Sequence, residues 1–394
     1  MTDGFAVIEE RRAELHVLSP EALAELRTKL VAIVGAGTLG GALLPHFAMV
    51  GVPAIVVDHD SVEVRNLANQ HFAAATDLGE PKAAVRARQA RALNPDVAVE
   101  ALAARAEELG FARLAGASLI VSAVDSFTAR VRLNEIAVRL GITLMDVAVD
   151  GSGERELGLV TVYDPAKGGP CRLCSTSQRE LAARLHAEKP RHCPSLRDAG
   201  QAITAATLAG SGHAAVVAGF AAQWALRLLL GQGDRLIGSR LVVSGGAAPR
   251  LETVKLERNA ACLHDHRAYE IRVRLAEASI GATLDTAARI LGGTATSVRF
   301  AARSLVVGLG CECGTELPAI GALGSTPIEA ARCERCGSRE LKPKSVTDTL
   351  AGASLDLARE RTWQDIGVPN ADLASFSNGD TSAWCVVAGG GKEA

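Results

Sequence analysis

The most constraining feature of the 394-residue chain is a glycine turn, Gly35-Ala36-Gly37-Thr38-Leu39-Gly40. It stands between a short β-branched run at 30–34 and an apolar segment at 39–50 that reads as a helix. Glycine lets the backbone turn tightly and approach a phosphate. The helix that follows adds free N–H groups and the positive end of its dipole. Asp58 closes the next predicted strand, 54–57, about 20 residues on, where a carboxylate can accept hydrogen bonds from ribose hydroxyls. A strand–turn–helix–strand unit commits the chain to an α/β fold. A glycine turn without ligand and the dinucleotide site of a nicotinamide dehydrogenase are both alternatives at this point.

The alternation continues. A helix is expected over 81–93, closed by Asn94-Pro95, then a strand at 119–124, a helix at 129–140 and a strand at 143–149. Late strands are expected at 241–244 and 251–256. This order predicts a doubly wound, mostly parallel Rossmann-like sheet with right-handed crossovers. The apolar run at 214–230 contains Gln223 and Arg227, so it reads as a buried core helix; a bilayer span needs roughly 20 apolar residues in a row. After His266 the character changes. The expected domains are 1–267, which binds the nucleotide, and 268–394, a smaller α+β domain with its own cysteine clusters. In the second, 269–275 is amphipathic, 287–292 and 347–361 read as helical, and 383–387 is a closing run.

Composition narrows the classes. Apolar residues make up 48% and charged residues 22%, as in soluble globular proteins. Lys plus Arg is 42 against 44 Asp plus Glu, a net charge of −2, so no global field favours nucleic acid or an anionic membrane. The 3 Trp, 2 Tyr and 8 Phe form no cluster on which single-stranded bases would stack. Residues 1–12 are charged and carry no apolar signal region, which predicts a cytoplasmic location.

Further segments separate the nucleotide chemistries. Asp58-His59-Asp60-Ser61-Val62 leads to Arg65-Asn66-Leu67-Ala68-Asn69-Gln70, then Gly79-Glu80-Pro81-Lys82, then Asp125-Ser126-Phe127-Thr128-Ala129-Arg130. A hydride-transferring enzyme has no need for a Lys, an Asn and an Asp at the phosphate end of its nucleotide. An adenylating enzyme has: a carboxylate must attack the α-phosphorus of ATP, and cations must offset the charge of both reactants. Singly, Lys82 reads as a solvated helix residue, Asp125 as a cap and Arg130 as a surface charge. Their occurrence together and in order favours the adenylating reading.

These segments resemble the ubiquitin-activating-enzyme superfamily, which includes the adenylyltransferases of molybdopterin and thiamine biosynthesis and the activating enzymes of ubiquitin-like modifiers. The resemblance covers about 10–266. It implies adenylation of the C-terminal glycine carboxylate of a small β-grasp, ubiquitin-like protein. It also implies a homodimer, since an N-terminal arginine of one subunit reaches its partner's ATP. Carried over, Gly35, Gly37 and Gly40 form the nucleotide loop, Asp58 binds ribose, and Asn66 and Lys82 bind phosphates. Asp125 holds Mg²⁺, and Arg130 supports the site from the helix behind it. Two departures stand out. Asn69 occupies the place of a usual phosphate-binding arginine, and only Arg11 and Arg12, in a poorly matching context, offer the N-terminal cation; Arg12 is the choice.

Six of the nine cysteines lie in close pairs. Cys171 and Cys174 form a C-x-x-C after Gly168-Gly169-Pro170, a spacing for tetrahedral Zn²⁺, with a redox pair as the rival. The family places its second metal pair after the last strand, where this chain carries Cys262-Leu263-His264-Asp265-His266. The expected ligands are therefore Cys171, Cys174, Cys262 and one histidine, His266 in preference to His264. Cys311-Glu312-Cys313-Gly314 and Cys333-Glu334-Arg335-Cys336-Gly337 read as a zinc ribbon, in which Gly after the second Cys permits the turn. Cys193 and Cys385 are left over. Cys193 lies between Arg191-His192 and Pro194, in the crossover segment where thioester-forming family members carry their nucleophile. Cys385 reads as a structural strand residue.

The leading expectation is thus an ATP-dependent activating enzyme that passes a ubiquitin-like protein to Cys193 as a thioester, for transfer to a conjugating-enzyme-type acceptor. Adenylation followed by sulfur transfer is the second, and a non-catalytic nucleotide-binding scaffold the third. The C-terminal domain is read as a zinc-supported docking module, with a dimerisation or purely stabilising role as the alternative.

Overall fold

A computed structural model of the chain describes residues 18–71, 73–150, 156–187, 210–245, 248–301, 303–323, 325, 328 and 330–388. They fall into two compact units, one within 1–107 and 116–268, the other within 108–115 and 269–394.

The first unit is built on one sheet. Its strands are β1 (Val31–Val34), β2 (Ala54–Val57), β3 (Val99–Leu102), β4 (Leu119–Ser122), β5 (Thr143–Asp150), β6 (Leu157–Tyr163), β7 (Ser239–Ser244) and β8 (Arg250–Lys255). Their order is β3-β2-β1-β4-β5-β6-β7-β8. The first five pair in parallel and the last three antiparallel. All four side chains of β1, β2 and β4 are buried. Both faces of these strands are therefore covered, which is why they read as continuous apolar runs without alternation.

The helices are α1 (Pro20–Arg27), α2 (Thr38–Met49), α3 (Lys82–Leu93), α4 (Phe127–Leu140), α5 (Gln178–Ala187) and α6 (Ser211–Leu229). Leu43, Leu44 and Phe47 of α2 and Val217, Ala218 and Ala221 of α6 share one apolar core with Val31, Ile33 and Val121. The apolar run at 214–230 is thus a core helix. No helix among the described residues is long and apolar enough to cross a membrane. Helix α4 starts at Ser126, whose hydroxyl accepts from the Ala129 amide at 3.1 Å, and stops at Gly141 with φ 67°.

From β1 the chain runs outward through β2 and β3 on one side, and through β4 and β5 on the other. Strand order therefore reverses between β1 and β4. In open parallel sheets, ligands bind outside the carboxyl ends of the strands at such a switch.

The second unit holds β9 (Ile271–Leu275), α7 (Ile280–Leu291), β10 (Ser297–Phe300), β11 (Leu305–Cys311), β12 (Glu316–Ala322), β13 (Leu341–Thr347), β14 (Thr349–Ala351), α8 (Ala353–Ala358), β15 (Asp372–Ser377) and β16 (Ser382–Val387). They make a five-stranded sheet, β14-β10-β15-β16-β9, and a three-stranded one, β12-β11-β13. Trp363 centres the core, edge-on to Phe300 and Phe376, with its indole N–H on the Thr283 hydroxyl at 3.2 Å. The helix expected over 347–361 is largely absent. Leu350 is buried opposite Val298 as part of β14, and Gly352, at φ 52°, ends that strand, so only 353–358 is helical. Tertiary burial of one leucine has overridden local helix preference.

Residues 108–115 leave the first unit and join the second, an excursion unforeseen in the sequence. The Ala112 amide donates to the Ala371 carbonyl at 2.8 Å, and a Cβ on Gly110 would lie 2.1 Å from the Asn370 carbonyl oxygen. Gly110→Ala is expected to destabilise the second unit by about 1–3 kcal/mol, the common cost of overpacking. Calorimetry of the full chain tests this. An unchanged melt would mean that the segment shifts aside without cost.

Candidate active site and metal centres

The glycine turn lies at the end of β1, and each of its glycines answers a different steric demand. Gly35 has φ 97°, and a Cβ there would lie 2.5 Å from the Ala123 carbonyl oxygen. At Gly40 a Cβ would meet the Gly35 carbonyl oxygen at 1.8 Å. At Gly37 the nearest group is the Gln70 amide, at 3.8 Å. Gly35 and Gly40 therefore let the turn pack against β4 and α2, while Gly37 leaves open space. Gly37 is also the N-cap of α2 and provides no side-chain cap, so the first-turn N–H groups of that helix have no side-chain acceptor from it.

Asp58 follows β2 and holds the turn. One carboxylate oxygen accepts from the Ala36 amide at 2.7 Å, the other from the Asp60 amide at 2.8 Å. Lys82, in the first turn of α3, is buried with its Nζ 2.8 Å from Asp60. Burial works to raise the Asp60 pKa. The Lys82 hydrogen bond and charge, with His59 and Arg65, outweigh it and hold the group below the ordinary carboxylate range. Asn66 is buried, its oxygen accepting from the Glu63 amide at 2.9 Å. This leaves its NH₂ as the donor for a ligand. Asn69 carries a buried side-chain oxygen with no partner among the described residues. Asp125 is exposed, just past the end of β4. Arg130 is buried and reaches back to the Val124 carbonyl and to Asp146 on β5.

Gly35, Gly37, Asp58, Asn66, Asn69 and Asp125 lie on the segments that follow β1, β2 and β4, with Gly40 and Lys82 in the first turns of α2 and α3 and Arg130 on α4. Cys193 and Arg12 lie outside the described residues. Two further charged groups of this region were missed in the sequence. Asp146 accepts from Arg130, from Arg172 at 3.2 Å and from the Ser122 hydroxyl at 2.9 Å. An acid inside the apolar strand 143–150 was the available signal. Arg86 lies beneath the glycine turn; one of several arginines on an Ala-rich helix, it carried no signal of its own.

The first metal-ligand set converges. One donor atom each from Cys171, Cys174, Cys262 and His266 lies within 4.8 Å of the others. Cys171 and Cys262 sulfurs are 3.7 Å apart, and Cys174 Sγ lies 3.3 Å from His266 Nε2. The edge of a tetrahedron with Zn–S bonds of about 2.3 Å is about 3.8 Å, so the donor set fits that ion. A disulfide, with sulfurs about 2.05 Å apart, does not fit. Burial, reinforced by the neighbouring Cys174 and Cys262, drives the Cys171 pKa well above the ordinary thiol range. His264 is not a ligand: it faces Glu135 through Nε2 and accepts from the His266 amide through Nδ1 at 3.1 Å.

Cys311, Cys313, Cys333 and Cys336 form the second set, also within 4.8 Å of one another. Cys311 pairs with Cys336, and Cys313 with Cys333, at 3.5 Å. Gly314 and Gly337 follow the knuckles at φ 83° and 72°, and their amides donate to the Cys311 and Cys333 carbonyls. Cys385 is buried in β16, where burial pushes its pKa up to about 11, so it is no nucleophile at neutral pH.

The ThiF family model matches residues 9–264. A SAMP-activating enzyme E1 of Haloferax volcanii is 33% identical over 268 residues, spanning 66% of this chain and 91% of that protein. A sulfur carrier protein adenylyltransferase of Thermus thermophilus is 33% identical over 258 residues, with 64% and 88% covered. A molybdopterin-synthase adenylyltransferase of Salmonella typhimurium is 29% identical over 245 residues, with 61% and 88% covered. By the extent of the family match and the coverage of these relatives, the chain belongs to the ThiF family, within the ubiquitin-activating-enzyme-like superfamily of adenylyltransferases.

Proposed function

We propose that the chain adenylates the C-terminal carboxylate of a small ubiquitin-like or sulfur carrier protein, using ATP and Mg²⁺. The observation that carries this reading is the convergence of the glycine turn, Asp58, Lys82 and Asp125 at one switch point of the parallel sheet. A carboxylate oxygen of the carrier attacks the α-phosphorus. A new P–O bond forms, the bond to the bridging oxygen breaks, and pyrophosphate leaves with that electron pair. In this reading the turn amides and Lys82 take the phosphate charge, Asp58 takes the ribose, and Asn66 and Asn69 offer side-chain NH₂ groups. Asp125 would hold Mg²⁺, which offsets charge on the reacting oxygens. Arg130 holds the Val124 carbonyl and so positions Asp125.

Two fates of the adenylate stand side by side. In one, the carrier passes to the Cys193 sulfur as a thioester, AMP leaves, and a conjugating-enzyme-type acceptor takes the carrier on. In the other, sulfide from a separate sulfur donor attacks the acyl carbon, a C–S bond forms, the C–O bond to AMP breaks, and AMP departs to leave a thiocarboxylate. Relatives named as a SAMP-activating enzyme E1 and as a sulfur carrier protein adenylyltransferase support both equally. A homodimer, with Arg12 contributed across it, belongs to the same reading. We assign Zn²⁺ to both four-donor clusters, as a structural ion.

Carrier-dependent ATP–pyrophosphate exchange tests the reaction. Asp125→Ala should abolish exchange with the fold intact, and Lys82→Ala should lower it about 10²-fold, as for loss of one preorganised charge contact. Full exchange in Asp125→Ala would sink the assignment. Cys193→Ala should leave exchange near wild type and eliminate a thiol-sensitive enzyme–carrier adduct. An adduct that persists would rule out Cys193, and loss of exchange as well would give it a structural role.

Elemental analysis should find about two Zn²⁺ per chain, one for each four-donor cluster. Cys171→Ser and Cys333→Ser should each lose one equivalent. A single zinc in the wild type would refute one cluster, and the two variants would show which.

A further inference from the structure

Beneath the glycine turn lies a buried cation with no ion-pair partner among the described residues; the carboxylates of Asp77 and Asp58 act on it without a hydrogen bond to it. Arg86, on α3, is 2% exposed. Its Nε donates to the Ala36 carbonyl at 3.2 Å, its Nη1 to the His71 carbonyl at 2.6 Å and Gln89 Oε1 at 3.0 Å, and its Nη2 to Gln70 Oε1 at 3.0 Å. Every one of these acceptors is neutral. Charged side chains this deep are ordinarily paired, because taking a lone charge out of water costs several kcal/mol or more. Burial lowers the Arg86 pKa and the charges of Asp77 and Asp58 oppose that, yet a guanidinium stays protonated at neutral pH.

The neighbouring chain is shaped to hold this group. A Cβ on Gly41 would lie 2.7 Å from Arg86 Nε and 2.8 Å from Cζ, so glycine at 41 is what lets the guanidinium lie against α2. Its fork joins the turn, through Ala36, to the segment carrying Gln70 and His71. The positive charge therefore sits directly behind the loop whose amides and helix dipole favour an anion.

We propose that Arg86 is a positioning residue whose buried charge is completed by the polyphosphate of the bound nucleotide. This rests on the nucleotide reading above. It also accounts for Asn69, where a neutral residue stands in place of the expected cation: the missing charge comes from below the loop. In a water-poor site a fixed charge acts over several ångströms without contact, so Arg86 need not touch the ligand.

The discriminating observable is dependence on phosphate number. Titration calorimetry of the full-length protein with ATP, ADP, AMP and adenosine would compare wild type, Arg86→Lys and Arg86→Gln. Arg86→Gln should weaken ATP binding about 10-fold or more, ADP and AMP progressively less, and adenosine less than about 2-fold. Arg86→Lys, which keeps the charge, should bind ATP within about 3-fold of wild type. Gly41→Ala displaces the guanidinium without removing charge and should give the same ranking, which guards against a misfolded Arg86→Gln. Equal losses for ATP and adenosine would make Arg86 a structural staple and overturn the proposal, as would unchanged ATP binding in Arg86→Gln. A wild-type protein that bound none of the four would overturn the nucleotide reading as well. Loss confined to the Arg86 variants cannot be mistaken for that outcome.

Discussion

One buried carboxylate, Asp146, joins the two chemistries of the first unit. It receives Arg130, which also grips the carbonyl just before Asp125, and Arg172, which stands between Cys171 and Cys174. The Ser122 hydroxyl at the end of β4 donates to the same group. A carboxylate so deeply placed is tolerable only because two guanidinium groups and a hydroxyl surround it; removing one partner of such a pair commonly costs about 3–5 kcal/mol. The first cysteine cluster and the Asp125 loop therefore share a single anchor. Arg172 and Asp146 thus connect the first cysteine cluster by hydrogen bonds to the segment before Asp125.

The switch point gathers polar and charged groups whose arrangement carries the proposed nucleotide reading. Asp58 spends both oxygens on backbone amides and so shapes the turn before any ligand arrives. Lys82 is held by Asp60, and beneath the turn every hydrogen-bond acceptor of Arg86 among the described residues is neutral. The N-cap of α2 provides no side chain to its own amides. The Asp58 and Lys82 contacts are satisfied within the protein, whereas the first-turn amides of α2 and the Arg86 guanidinium are the groups that, on the proposed reading, would gain from a bound anion. Preorganised polarity of this kind is how a site stabilises charge without reorganising during reaction.

The two cysteine clusters share one donor geometry and differ in support. The first closes a loop onto the end of the sheet: Asn259 holds the Cys174 carbonyl at 3.2 Å, Arg139 holds the Arg267 carbonyl at 2.9 Å, and His264 is fixed by Glu135. The second is carried by two glycine turns at the end of a three-stranded sheet. In that small sheet β13 is exposed or half-buried along its length, while Leu305 of β11 and Ile320 and Ala322 of β12 reach the core. A bound metal supplies folding free energy where the core is thin.

Read alone, the sequence determined the parts whose chemistry is local. The glycine turn, the strand end before Asp58 and the glycines after the cysteine knuckles each follow from a few neighbouring residues, because φ and ψ are short-range properties. Cys171 and Cys174 were legible from their C-x-x-C spacing, whereas Cys262 and His266 were legible only through resemblance. Other features belong to tertiary structure only. Residues 349–351 form a strand because Leu350 meets Val298, a partner remote in sequence. Residues 108–115 join the second unit through a backbone contact at Ala371. Asp146 and Arg86 gain their significance from what surrounds them. A carboxylate in a strand and an arginine in an Ala-rich helix look ordinary until burial has removed water, and burial is decided by the whole fold.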